Sequence, residues 1–186
     1  MILENHANDE VHIISIEVNQ LHMKTIYVVR HAKAGLGSAH TGDFGRRLNE
    51  AGLKAAHFMA ELLEERGVVP ELVLSSPAER AISTAEIFCD ILRYPKERIE
   101  KRMEIYEGGA GRLLTILQEI ADTSKTVMLF GHNPTMGSFL NLLAEGAIVS
   151  LATCGVVRID LAVDSWREVR PGSGKLIWYE FPKKYQ

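Results

Sequence analysis

The sequence predicts an α/β fold, a three-layer α/β/α sandwich around a mostly parallel central sheet. Three observations carry this prediction. The runs Ile26-Tyr27-Val28-Val29, Leu72-Val73-Leu74 and Thr126 to Phe130 are apolar without alternation, as strands buried on both faces require. Segments between them place apolar residues at helical spacing. Strands that alternate with amphipathic helices pack as a sheet covered on both sides and joined by right-handed crossovers.

Composition sets the bounds. A chain of 186 residues suits one domain with a full core. Its 46% hydrophobic and 24% charged content, with mean hydropathy of -0.01, is that of an ordinary globular protein. The net charge of -3 argues against a general nucleic-acid or anionic-membrane surface but leaves room for a local basic pocket. Cys89 and Cys154 lack C-x-x-C spacing, which points to reduced thiols and a cytoplasmic setting. No apolar stretch approaches the ~20 residues of a membrane helix.

In chain order, residues 1–22 contain Glu4, Asp9, Glu10 and Glu17 but no lysine or arginine, unlike the start of a signal peptide. Val11 to Val18 could form an edge strand; the alternatives are a disordered tail or an extension ahead of a start at Met23. Each reading makes residues 1–22 an appendage without a catalytic part, and 23–186 the functional domain. Ile26 to Val29 is the first strand, followed by a glycine-rich polar loop from Ala34 to Arg47. Asn49 is placed to cap a helix with Leu53, Ala56, Ala60 and Leu63 inward and Gly67 as its stop. After the strand at Leu72, Ser76-Pro77-Ala78-Glu79 has the form of a capping box. It opens a helix that buries Ala81, Ala85, Phe88 and Leu92. A third helix carries Leu113, Ile116, Leu117 and Ile120 on one face. After the strand ending at Phe130, Asn133 as cap and Pro134 as first residue would start a fourth, with Met136, Leu140 and Leu143 inward. Gly155 to Val163 and Lys175 to Phe181 read as a hairpin or antiparallel edge, with a loop from Val169 to Gly174.

The chemistry gathers at strand ends. Arg30-His31 follows the first strand, Arg80 lies in the first turn after the second, and His132 follows a later one. In a parallel sheet these ends line one edge, so the four groups can converge. Guanidinium forks bind phosphate oxygens and hold the charge that spreads during transfer. A neutral imidazole is a competent nucleophile without a metal. Taken alone, Arg30-His31 could equally mark a strand leaving the core.

Other chemistries fit less well. Cys89 to Arg93 and Cys154 to Arg158 are too closely spaced for a cysteine-based phosphate loop, and Cys89 reads as core. Gly172-Ser173-Gly174-Lys175 departs from the Walker pattern at Val169 and Leu176. His6, His12 and His22 belong to the appendage and His57 to a helix border, and there is no H-E-x-x-H, so no metal is expected. His40 and Asp43 could reach the pocket from the loop, but loop polarity is the simpler explanation.

Arg30-His31-Ala32-Lys33-Ala34, Ser75-Ser76-Pro77-x-x-Arg80-Ala81-x-x-Thr84-Ala85-Glu86 and Gly131-His132-Asn133-Pro134 resemble the histidine phosphatase (phosphoglycerate-mutase-like) superfamily. Arg-His-Ala-Lys, together with Asp43-Phe44-x-Arg46-x-Leu48-Asn49-x-x-Gly52, is most similar to its short SixA-type phosphohistidine phosphatase branch. The similarity runs from Met23 to the end. It implies a cofactor-independent phosphatase in which His31 attacks phosphorus and becomes a phosphohistidine intermediate. Arg30, Arg80 and His132 would clamp the phosphoryl oxygens, with Arg46 at the pocket mouth or simply a solvated loop arginine, and Asn133 beside the substrate or simply a cap. Ser76 would be only the helix cap. Glu104, ahead of Tyr106 and Gly108, is the candidate proton donor, with Glu107 as the alternative; some members of the branch do without one. The implied substrate is phosphohistidine in a protein. A small-molecule phosphomonoesterase and a non-catalytic phosphate-binding regulator are the alternatives, while a mutase would need longer insertions.

Overall fold

The computed structural model describes residues 23–37, 42–144, 146 and 150–186. The expected segment Val11 to Val18, the proposed division at residue 22, and His6, His12, His22 and His40 lie outside the described residues. Six strands form one sheet: β1 (Lys24–Arg30), β2 (Leu72–Ser75), β3 (Glu100–Lys101), β4 (Thr126–Gly131), β5 (Val156–Leu161) and β6 (Gly174–Glu180). Their order across the sheet is β3-β2-β4-β1-β5-β6. The β1, β2, β3 and β4 strands are mutually parallel, whereas β5 runs antiparallel to β1 and β6 antiparallel to β5. The sheet is therefore mixed, with the antiparallel edge that the last two apolar runs predict.

Five α-helices are described: α1 (Glu50–Glu65), α2 (Glu79–Ile91), α3 (Met103–Glu107), α4 (Ala110–Gln118) and α5 (Thr135–Leu143). Alternation along the strands divides the core in two. Tyr27 and Val29 of β1, with Met128 and Phe130 of β4, face α1 and α2 through Ala56, Met59, Leu63, Ala85 and Phe88. Ile26 and Val28, with Val127 and Leu129, face α4 and α5 through Leu113, Ile116, Phe139 and Leu140. Three layers result, as the alternating pattern requires. One inward assignment fails: Leu53 is 43% exposed, and Met59 takes the buried position instead.

Register decides where the chemistry falls. Arg30 pairs with Gly131, and Ser75 with Phe130, so β1, β2 and β4 end at nearly the same level. The pairing continues one residue further, with His31 N–H donating to the Gly131 carbonyl and Ser76 N–H to that of Phe130, both at 3.0 Å. His31, Ser76 and His132 thus leave the sheet side by side. Asn49 caps α1 as expected, its side chain accepting from Gly52 N at 2.8 Å.

Candidate active site

The strand ends and the start of α2 enclose a cleft of about 350 Å³ lined by Arg30, His31, Lys33, Asp43, Arg46, Arg80, His132 and Asn133, among others. That volume lies at the low end for ligand pockets and takes a phosphoryl group with part of whatever carries it. Of the sequence-predicted residues, Arg30, His31, Arg80, His132, Arg46 and Asn133 meet here. Glu104 does not.

His31 is buried, and its Nδ1 lies 2.7 Å from the carbonyl oxygen of Ala32. A carbonyl can only accept, so Nδ1 carries the ring proton and Nε2 presents a lone pair. The Arg80 Nε–H points at that nitrogen from 3.3 Å. Burial pushes the ring pKa down to about 4; the Ala32 contact opposes this, and the guanidinium groups of Arg80, Arg30 and Arg46 add to it. The ring is neutral near pH 7, with Nε2 unprotonated and facing Arg80.

Arg80 stands in the first turn of α2, where its Cα sits beside the sheet edge. Thr84, one turn on, ties the helix to the backbone just after His31: its hydroxyl donates to the Arg80 carbonyl at 2.7 Å and accepts from Ala32 N at 3.0 Å. The spacing i, i+4 that makes this possible is visible in the sequence, but only the fold brings Ala32 to it.

His132 stacks obliquely on the same space, buried, with Nε2 2.8 Å from the Ser76 hydroxyl. Ser76 is fully buried and already accepts from Ala78 N at 3.2 Å. The buried hydroxyl hydrogen has no acceptor among the described residues other than His132 Nε2, so it is directed there, leaving the ring proton on Nδ1, which has no partner among the described residues. Burial first, then Arg80 and His31, push this ring down to about 3. Ser76 is thus not the expected helix cap. The α2 helix begins at Glu79, its cap position is Ala78, and no side chain caps it. The serine hydroxyl has been turned to the histidine.

Arg30 reaches the cleft from β1, with Nη1 donating to the Leu151 carbonyl at 2.6 Å. Asn133 Nδ2 donates to the same carbonyl and to Ser150 Oγ, both at 2.9 Å. Asn133 is not a cap either, because α5 starts at Thr135 behind Pro134. Asn133 Oδ1 and Arg30 Nε are buried without partners among the described residues.

Two assignments for acidic residues change. Glu104 lies outside the cleft, 3.1 Å from Arg112 Nη2 and 3.8 Å from Arg102 Nε, and its own backbone N–H and these arginines hold its carboxyl below the usual range. Residues two apart on a helix point to opposite sides, and it is Tyr106 that faces the site, its ring 5.5 Å from that of His132. The acid that does reach the site is Asp43, expected to be mere loop polarity. Its Oδ2 accepts from Arg80 Nη2 at 2.9 Å, and its backbone carbonyl accepts from Arg80 Nη1 at 2.6 Å. The one signal in the sequence is its place in the Asp43-Phe44-x-Arg46 run that carries the resemblance, since a polar loop does not by itself mark position 43. Thr153 also lines the cleft without having been singled out, and so does Lys33, noted only within the Arg-His-Ala-Lys run. Among the described residues, no three His, Cys, Asp or Glu side chains converge as a metal site would need.

Residues 26–111 match the family model for the histidine phosphatase superfamily (branch 1). An uncharacterised chloroplastic protein of Arabidopsis thaliana is 26% identical over 163 residues, 83% of this chain and 74% of its own. A solved structure of the protein histidine phosphatase SixA, complexed with tungstate, superposes with a TM-score of 0.76 at 26% identity, over 87% of this chain and 99% of that one. A phosphoglycerate mutase from Bacillus anthracis aligns with a TM-score of 0.62 at 15% identity over 81% and 97% of the two chains, a likeness of fold alone. No helix among the described residues is long and apolar enough to cross a membrane.

Proposed function

We propose, from the premise that this chain belongs to the histidine phosphatase superfamily, that it is a phosphatase working through His31 and acting on phosphohistidine in a protein. The observation that carries this reading is the pairing of His31 Nε2, a fixed lone pair, with the Arg80 guanidinium at 3.3 Å. In the first step Nε2 attacks phosphorus, and the bond to the leaving group breaks with its electron pair going to that group. In the second, water attacks the phosphohistidine; inorganic phosphate departs, the N–P electron pair returns to Nε2, and the water's spare proton passes to solvent.

Arg80 and Arg30 hold the phosphoryl oxygens as charge redistributes over them. His132 offers its Nδ1–H as a neutral donor. Arg46 and Asn133 bind substrate at the mouth and floor of the cleft. A phosphoryl–nitrogen bond suits this residue set, because a protonated imidazole leaves without help from an acid. Glu104 is ion-paired outside the cleft, and Asp43 is held ionised chiefly by Arg46, so neither is a protonated carboxyl that an alkoxide leaving group would call for. The SixA structure resembled here is that of a protein histidine phosphatase, with tungstate as a tetrahedral oxyanion. A cleft of about 350 Å³ also suits a substrate whose bulk stays outside.

The test is labelling with a 32P-phosphohistidine protein and rapid quenching. Wild type should carry acid-labile, base-stable phosphate, and His31→Ala should carry none and lose several orders of magnitude in turnover. Label that persists in His31→Ala refutes the reading. Turnover should be unchanged in EDTA.

A further inference from the structure

Asp43 is held on three sides. Arg46 Nη1 reaches Oδ1 at 3.1 Å, and Oδ2 receives Arg80 Nη2 at 2.9 Å and the Tyr106 hydroxyl at 3.1 Å. Its backbone is fixed as well. The Phe44 carbonyl accepts from Glu79 N at the start of α2, Arg46 Nε donates to the Gly35 carbonyl, and Phe44 packs edge-on against Tyr106 at 5.1 Å. This is a built position, yet the side chain keeps 54% of its surface exposed.

The Arg80 guanidinium spans the site. Its Nε faces the attacking nitrogen of His31, while Nη1 and Nη2 face Asp43. A phosphoryl group lying along this guanidinium has the nucleophile at one end. In-line displacement sends the leaving atom out at the other, toward the mouth where Asp43 stands. A carboxylate accepts about four hydrogen bonds, three are filled, and one position on Oδ1 remains.

Building on the phosphohistidine reading above, we propose that Asp43 determines substrate class: its carboxylate receives the free ring N–H of a phosphorylated imidazolium and disfavours leaving groups without such a donor. During transfer the P–N bond breaks with its electron pair going to the leaving nitrogen. The proton on the other ring nitrogen stays there, held toward Asp43, so the group departs as neutral imidazole.

The experiment compares kcat/KM for N-phosphorylimidazole with that for p-nitrophenyl phosphate, which has no ring N–H, in wild type, Asp43→Asn and Asp43→Glu. Asparagine still presents an oxygen to Arg80 but removes the charge, so the imidazole-to-nitrophenyl ratio should fall about tenfold, the scale of one charge-assisted hydrogen bond. Asp43→Glu should restore part of it. A ratio that moves less than twofold, or equal losses on both substrates, overturns the assignment and leaves Asp43 as a prop for Arg80. If wild type turns over neither substrate and forms no phosphohistidine, the phosphatase reading falls and takes this one with it. If it forms phosphohistidine and the ratio is flat, only the role of Asp43 is lost.

Discussion

The rings of His31 and His132 stand with centroids 5.0 Å apart and planes tilted by 51°. Two imidazoles this close, with Arg30 and Arg80 beside them, must share one neutral environment, since a charged ring would face both guanidinium groups. Burial is the largest cause, and it holds them at about 4 and about 3.

The consequence for stability has a definite sign. In the unfolded chain both rings titrate near 6.5, so between that pH and about 4 the unfolded state binds more protons than the folded state. The contribution of the neutral rings is complete above pH 6.5 and is lost as pH falls toward the folded values. Urea unfolding from pH 7.5 to 4.5 should show this decline, and the His31→Ala/His132→Ala variant should flatten it. An equally steep decline in the double variant would show that other groups are responsible.

Arg80→Ala removes the guanidinium that faces His31 Nε2. The expected loss in kcat/KM is about 10²-fold or more, near 3 kcal/mol, the scale of one preorganised transition-state donor. Arg80→Lys should recover little, because an ammonium cannot face His31 and Asp43 at once. Steady-state kinetics on p-nitrophenyl phosphate would detect either result.

Glu104→Gln should stay within about twofold of wild type in kcat, because the carboxylate is tied up with Arg102 and Arg112 in a solvent-screened ion pair outside the cleft. A hundredfold drop would restore Glu104 to the chemistry and require α3 to turn.

Ser76→Ala takes the hydroxyl proton from His132 Nε2. The ring should lose its fixed tautomer, visible in 15N chemical shifts, and kcat/KM should fall about fivefold, near the ~1 kcal/mol of one hydrogen bond. Unchanged 15N shifts would mean that something other than Ser76 sets the ring.

Gly52→Ala probes the support of the site. A Cβ on Gly52 would lie 2.0 Å from the Lys33 carbonyl oxygen, two residues after His31. That carbonyl also receives Asn49 N at 3.0 Å. Pushing α1 off it should cost roughly 1–3 kcal/mol, as overpacking does, and lower the midpoint of thermal unfolding. A thermal midpoint equal to wild type would show that the loop yields freely.

Much of this protein was legible in its residues. The unbroken apolar runs set β1, β2 and β4, and the placement of Arg30 at a strand end, and of His31, Arg80 and His132 beyond such ends, followed from chain position, because parallel strands bring their ends to one edge. Hydroxyl and carboxylate partnerships were not legible. Ser76 and Asn133 have the local form of helix caps, yet the capping geometry lost to contacts across the sheet edge with His132 and with Leu151. Asp43 and Glu104 look alike as exposed acids. The loop anchored at Phe44 brings one onto Arg80, whereas α3 turns the other toward Arg102 and Arg112. Local pattern records how a segment packs against the core, since periodicity reflects burial. Which polar atoms meet between distant segments depends on register and loop path, and those are decided by the folded chain as a whole.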